Sequence, residues 1–340
     1  MDENAQAVSP EVSIVIPVYR SRECLAALVR ELTDVLADAV GDGSYEIILV
    51  NDDSPDDSWL EIVRLATVYV SVKGVSLSRN FGQHNATMAG LREARGRFVV
   101  VMDDDLQHPP SAIPEILAQL QGGADVCYTV YRARKHALWK KMGSWVNDAA
   151  ATVLLGKPRG LYLSSFKGMT RIVVDAVTTY DGPFTYLDGL ILDVTRKIAI
   201  VTIKHGHRFA GEGNYGLVKS LSLWLKMATS FSILPLRLAS LAGMLLGIAA
   251  AATAGYIVVG VFLFGATYPG WASIMVAVLV VGSMQLLGIG LIGEYMGRAY
   301  LRMNNKPQFV VRERTLSVVA ANGLAKIDNA SAETVKRYGL

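Results

Sequence analysis

The chain has 340 residues, with 33 basic and 30 acidic side chains and a formal net charge of +3. Every one of those charges lies outside a single block, Leu238–Gly293, in which 56 consecutive residues include no Asp, Glu, Lys, Arg or His. Such a chain is not a purely soluble globular enzyme, an intrinsically disordered polymer or a disulfide-stapled secreted domain, and its near-neutral balance argues against a nucleic-acid binder.

The first ten residues, MDENAQAVSP, are polar and acidic and are expected to be disordered. They offer neither the basic n-region nor the apolar h-region of a signal peptide, so the residues that follow are expected to stay in the cytoplasm. Residues 11–215 read as one catalytic domain in which short apolar runs alternate with helical patterns. Strands are predicted over 12–19 (VSIVIPVY), 45–52 (YEIILVND), 72–78 (VKGVSLS), 97–103 (RFVVVMD) and 124–130 (ADVCYTV). Helices are predicted over 24–36, 56–70, 83–95 and 110–121, the last opened by Pro109-Pro110. Continuous β-branched strands alternating with helices imply an α/β fold: a buried, mostly parallel sheet covered on both faces. The two cysteines, Cys24 and Cys127, lie in apolar runs and are expected to be small core residues.

Residues 216–236 hold Leu217, Leu221, Trp224, Leu225 and Ala228 at helical spacing, with Lys219 and Lys226 off that face. This predicts an amphipathic helix lying on a membrane surface, with Pro235 breaking the chain before it dives. The uncharged block then divides into two spans, about 238–264 and 271–293, within a transmembrane region of 237–297. Each exceeds the ~20 residues that cross a hydrocarbon core. The turn signal GATYPG between them makes a helical hairpin. Arg237 precedes the first span and Arg298, Arg302 and Lys306 follow the second, whereas the short connection has no positive charge. The positive-inside rule then puts both termini and the catalytic domain on the cytoplasmic side of the plasma (inner) membrane. Residues 298–340 are expected to be a cytoplasmic tail. Small residues in the spans (Gly243, Gly247, Gly288 among them) allow close packing, within one hairpin or in a homo-oligomer.

In a parallel α/β sheet, ligands bind outside the carboxyl ends of the strands. Here those ends read Pro17-Val18-Tyr19, Asn51-Asp52-Asp53-Ser54, Ser78-Arg79-Asn80 and Asp103-Asp104-Asp105-Leu106-Gln107. One edge so collects acids suited to a ribose or base edge, an Arg suited to phosphate, and clustered carboxylates. Asp103 and Asp105, one residue apart at a strand's end, are expected to share a side. Two such carboxylates repel each other unless a cation sits between them, and hard oxygen donors suit Mg²⁺ or Mn²⁺ shared with substrate phosphates. Other patterns carry less. Gly211–Gly216 matches G-x-G-x-x-G but lacks the strand–turn–helix setting of a dinucleotide site. His205 and His207 have no further zinc ligand near in sequence. Arg132, Arg134 and Lys135 form either a solvated basic loop or a phosphate contact.

The segments PVY, NDDSPDDS, RNFGQHNA, DDDLQHPP and SFKGMTR, in this order, resemble the GT-A fold glycosyltransferases of family 2. More narrowly, Phe231-Ser-Ile-Leu-Pro-Leu-Arg237 before the hairpin and Gly293-Glu-Tyr-Met-Gly-Arg298 after it resemble the polyprenyl-phosphate glycosyltransferases. These include the bactoprenol glucosyltransferases, the undecaprenyl-phosphate formamido-arabinose transferases and dolichyl-phosphate mannose synthase. The likeness spans about residues 10 to 310.

The resemblance implies a GT-A nucleotide-sugar domain that passes a sugar, with inversion, from a nucleotide diphosphate (UDP is the expected one) to a polyprenyl phosphate such as undecaprenyl phosphate. It implies that Pro17, Tyr19, Asp52, Arg79 and Asp103 line the nucleotide, and that Asp103, Asp105 and Gln107 surround a divalent metal, with the two aspartates catalytic. Arg132, Arg134 and Arg208 would hold the acceptor phosphate. The alternatives are another lipid acceptor, such as a lipid-linked saccharide, or a non-enzymatic membrane scaffold or translocation subunit. The chain departs from the family pattern at three places. Ser21 stands where Glu is common, Asp53 where Gly is usual, and Gly211-Glu-Gly-Asn-Tyr215 lacks the Ser and Lys of G-x-S-K-Y. No Q-x-x-R-W of the processive synthases occurs.

Overall fold

The computed structural model describes residues 9–131, 158, 161–182, 185–203, 234–264, 270–304 and 306–315. The chain divides into two compact units. One comprises residues 1–146, 158–213 and 307–340, and the other residues 147–157 and 214–306.

The first unit is built on a sheet that begins as the apolar runs predict. Strands β1 (Val12–Val18), β2 (Tyr45–Asn51), β3 (Val72–Leu77) and β4 (Phe98–Val101) are separated by helices α1 (Arg22–Val40), α2 (Ser58–Val68) and α3 (Gln83–Glu93). All seven residues of β1 and all seven of β2 are buried. Burial on both faces is why these strands read as mostly apolar runs, interrupted by Ser13, Glu46 and Asn51, with no regular polar alternation. Helix α1 turns Leu25, Leu28, Val29, Leu32 and Leu36 onto the sheet at 3.6-residue spacing. Helix α3 approaches more closely: a Cβ on Gly90 would sit 2.4 Å from Val15 Cγ1, so glycine is what lets this helix lie on β1 and β2.

A 3₁₀ turn (Pro110–Ala112) leads into α4 (Ile113–Gln121) and β5 (Val126–Tyr131). Four further elements follow that the sequence patterns do not announce: β6 (Lys167–Thr170), α5 (Arg171–Thr178), α6 (Leu187–Val194) and β7 (Ile198–Ile203). The sheet order is β7-β5-β6-β4-β1-β2-β3-β8, where β8 is Val311–Arg314. Strands β4, β1, β2 and β3 are parallel, as are β5 and β7; β6 and β8 run antiparallel to their neighbours. The chain therefore steps outward from β1 to β2 and β3, then returns to the other side of β1 with β4. That reversal opens a crevice at the carboxyl ends of β1 and β4.

Strand β8 departs from the expected tail. Residues 311–314 pair with β3, and Thr315 exchanges bonds with Gly74: Thr315 N–H donates to Gly74 O (3.0 Å) and Gly74 N–H to Thr315 Oγ1 (2.8 Å). Its sequence, VRER, is short and charged because it covers an edge and buries almost no side chain.

In the second unit, helix α7 (Leu234–Phe264) and helix α8 (Trp271–Met303) cover both predicted spans and pack against one another. Helix α7 begins upstream of the uncharged block. Pro235 lies at the second described residue of this helix, and the residues before Leu234, where it is expected to break the chain, lie outside the described residues. Among the described residues, one stretch meets both the length and the apolarity needed to cross a membrane, Ala239–Ile257. The amphipathic helix expected over 216–236 lies outside the described residues except for its last three positions.

Candidate active site

Three loops meet at the carboxyl ends of β1, β2 and β4. Parallel register sets Val18 beside Asn51 and Val15 beside Val101. Backbone bonds carry that alignment past the strands: Asp52 N–H donates to Val18 O (3.0 Å) and Met102 N–H to Val15 O (3.2 Å). Each chain then turns sharply through a non-glycine residue of positive φ: Arg20 (60°), Asp53 (52°) and Leu106 (60°). Strained turns of this kind persist where surrounding contacts hold them, and they cluster at functional sites. Here the contacts are mutual. Ser54 Oγ accepts the Arg20 N–H (3.0 Å), Asn51 Oδ1 accepts the Ser54 N–H (3.2 Å), and Ser58 Oγ accepts the Ser21 N–H (3.2 Å).

These loops, with the segment that leads from β3 into α3, line a cavity of about 350 Å³ with Pro17, Val18, Tyr19, Asp52, Asn80, Gly82, Gln83, Asp103, Asp104 and Asp105. Of the residues singled out in the sequence, Pro17, Tyr19, Asp52, Asp103 and Asp105 share its wall. Arg79 and Gln107 do not. Arg79 is exposed beside it, its guanidinium 4.6 Å from the Phe81 ring centroid, and Asn80 takes the wall position. Gln107 contributes a backbone N–H to Asp105 Oδ1 (3.1 Å). Arg132, Arg134 and Arg208 lie outside the described residues, as do His205, His207, Lys135 and the Gly211–Gly216 motif. Asn80, Gly82, Gln83 and Asp104 are wall residues to which the sequence assigned no individual role, although they lie in the strand-end segments RNFGQHNA and DDDLQHPP.

The carboxylates differ in surroundings. Asp52 is almost wholly buried and accepts N–H bonds from Phe81 (2.7 Å) and Gly82 (2.8 Å), so it anchors the turn into α3 as well as lining the cavity. Burial raises its pKa, the two amides pull the other way, and the Asp53 charge adds to the rise. Asp104 accepts the Tyr19 N–H (3.1 Å). Burial, aided by the neighbouring Asp103 charge, pushes its pKa up to about 6 against the Ser21 hydroxyl and the Tyr19 amide. Asp103 is the most heavily bonded. Oδ1 accepts from Gln83 Nε2 (2.6 Å), Oδ2 accepts from Ser165 Oγ (2.6 Å), and its own N–H donates to His108 Nδ1 (3.0 Å).

Asp103, Asp104 and Asp105 fall on a loop past the end of β4, not on an extended strand. Strand alternation is thus not what unites the pair; both line the same cavity. Among the described residues, no three His, Cys, Asp or Glu side chains close around a common point as a ready-made metal cage. Two hard carboxylates on a polar cavity wall, with room for a substrate, are the donor set of a cation that completes its shell with phosphate oxygens and water. The residues fit Mg²⁺ or Mn²⁺ in that way. Cys24 is partly exposed, not a core residue as expected, and burial together with the Asp104 and Asp105 charges raises its thiol pKa. Cys127 is fully buried, and burial pushes its thiol up to about 12, which leaves it inert.

Residues 13–178 match the glycosyl transferase family 2 model. The chain is also similar in fold to glucosyl-3-phosphoglycerate synthase from Mycobacterium tuberculosis, solved with Mn²⁺, uridine diphosphate and phosphoglyceric acid. The identity is 19%, the TM-score is 0.48, and the match covers 66% of this chain and 77% of that one. A second similar structure is S. aureus TarS 1-349 in complex with UDP, at 18% identity and TM-score 0.41, covering 57% and 60%.

Proposed function

We propose, from the match of residues 13–178 to the glycosyl transferase family 2 model, that the chain is a glycosyltransferase that moves a sugar from a nucleotide diphosphate, with UDP as the nucleotide, to a polyprenyl phosphate at the cytoplasmic membrane face. The observation that carries the donor half is the cavity at the ends of β1, β2 and β4, where Asp52, Asp103, Asp104 and Asp105 share one wall. Tyr19, 44% exposed at its mouth, offers an aromatic face to a base, and Asp52 a carboxylate edge to a ribose or base. Asp103 and Asp105 are the residues that would hold a divalent cation, which when bound neutralises charge on the departing diphosphate.

The acceptor half is supported by the second unit. Large apolar side chains on its helices stand in the open, among them Phe262 (84%), Leu286 (72%) and Ile289 (65%). Exposed apolar surface of that extent is stable against hydrocarbon and costly against water. Together with Arg237, Arg298, Arg302 and Lys306 at the hairpin's ends, it supports a two-helix anchor with both ends cytoplasmic. Such an anchor keeps the catalytic unit at the depth of a lipid headgroup.

The acceptor's chemistry suits this site. A phosphate monoester has a second pKa of about 6 and is mostly dianionic near neutrality. The attacking oxygen needs no strong base, in contrast to a sugar hydroxyl. The protein's task is to position two anions and manage their charge.

The test is transfer in isolated membranes with a panel of UDP-, GDP- and dTDP-sugars, undecaprenyl phosphate, and Mn²⁺ or Mg²⁺. A labelled lipid product cleaved by mild acid is expected, because a glycosyl phosphate linkage is acid-labile. Asp105→Asn should lower its formation by about 100-fold or more while the protein stays in the membrane. Undiminished turnover in that variant would sink the metal assignment. An acid-stable product would move the acceptor to another lipid.

A further inference from the structure

Asp103, Asp104 and Asp105 are consecutive, and like charges this close drive one another apart. A surface aspartate in that position turns outward to water. Asp103 stays on the cavity wall, and the structure shows what keeps it there. Gln83, in the first turn of α3, donates to Oδ1 at 2.6 Å. Ser165, in the loop leading into β6 and 62 residues further along the chain, donates to Oδ2 at 2.6 Å. Both are short, charge-assisted bonds, and they grip opposite oxygens. The backbone is fixed as well. His108 Nδ1 accepts the Asp103 N–H, and the imidazole is buried and stacked on Phe166, ring centroids 5.0 Å apart. Asp105, by contrast, is held by its own turn through the Gln107 N–H.

We infer that Gln83 and Ser165 are positioning residues for Asp103. They belong to two different elements, hold the carboxylate in one orientation before any ligand arrives, and leave each oxygen a lone pair for a cation. Partners of this kind tune metal affinity nearly as strongly as the ligands do. The inference rests on the reading that Asp103 and Asp105 hold a divalent cation.

The experiment counts bound Mn²⁺ by electron paramagnetic resonance on the full chain in detergent micelles, with UDP present, next to the melting temperature of each variant. Gln83 is exposed, so Gln83→Leu leaves the fold intact. Gln83→Leu and Ser165→Ala are each expected to weaken Mn²⁺ binding roughly 10-fold, and Ser165→Thr, which keeps the hydroxyl, to restore it. A merely structural role would shift the melting temperature and leave the affinity alone. Mn²⁺ binding within twofold of the native chain in both Gln83→Leu and Ser165→Ala would overturn the clamp while leaving the metal site standing. A native chain that binds no Mn²⁺, or binds it equally well as Asp105→Asn, would overturn the metal reading and the clamp with it.

Discussion

Residue by residue, the site is a place where the chain accepts local cost. Three non-glycine residues hold positive φ directly after β1, β2 and β4, each at roughly 1 kcal/mol. At Asp53 the backbone accounts for one departure from the pattern of the family that the sequence resembles. Asp53 stands where Gly is usual, and its φ of 52° is one that Asp tolerates better than most side chains; Arg312 lies 3.8 Å from its carboxylate. Asp104 carries a larger cost. Its pKa rises from 3.8 to about 6 in the folded chain. Between those values the native state binds more protons than the unfolded one, so stability falls as pH rises through that window and stays low above it. Asp104→Asn removes the charge and keeps an acceptor for the Tyr19 amide. With EDTA present, the variant should be more stable by about 1–2 kcal/mol above pH 7, a figure discounted for partial exposure, and no more stable below pH 4. Thermal melts across that range check it, and parallel curves for the two chains would refute the burial argument.

Among elements, the sheet is pinned by one buried acid. Ser13 and Glu46 face each other across β1 and β2. Glu46 accepts from Ser13 Oγ (2.6 Å), Lys73 Nζ (2.5 Å) and the Arg95 N–H (2.7 Å), and so ties together β1, β2, β3 and the turn into β4. Burial by itself would raise its pKa, but these three partners outweigh burial and hold it below the ordinary value. The stability it contributes is therefore present above about pH 4.5 and lost as pH falls through the depressed folded pKa. Glu46→Ala strands three donors and should cost roughly 3 kcal/mol at pH 7, a gap that narrows in acid. A melting temperature equal to the native one at pH 7 would count against the pin.

Strand β8 is the second such element. A chain ending at Lys306 uncovers the Gly74 amide of β3 and the Ser78 amide just past it and should associate through that edge, visible as early-eluting species in gel filtration. A monodisperse profile matching that of the full chain would argue that β8 is dispensable. These elements also show what a sequence can and cannot announce. Strands β1 to β5 were legible because burial on both faces writes itself as apolar runs, and the strand-end aspartates were legible because they follow those runs. Strand β6 was not. It is KGMT, and its buried Lys167 is tolerable only because Asp188, 21 residues on, bonds it. Strand β8 and the grip of Ser165 on Asp103 depend in the same way on partners far along the chain, which no local pattern encodes.

For the molecule as a whole, the uncharged block decides where the proposed chemistry happens. Its helical extent exceeds its uncharged extent at both ends: α7 starts at Leu234 and α8 continues to Met303, past Glu294 and Arg298. A helix breaks where backbone geometry demands, whereas a membrane boundary is set by charge, so the proposed anchor has its flanking turns with Arg237, Arg298 and Arg302 at headgroup level. The proposed topology puts the connection near Thr267 outside and the segment after β8 inside. Cys24→Ser and Cys127→Ala remove the native thiols. On that background Thr267→Cys should react with a membrane-impermeant maleimide in intact cells, and Ser317→Cys only after permeabilisation. The reverse pattern would place the catalytic unit on the outer face, where nucleotide sugars are not supplied. Labelling of both positions in intact cells would mean that the second span does not cross. Either result would remove the reason for the anchor, because the proposed transfer needs the nucleotide sugar and the lipid phosphate on one side of the membrane.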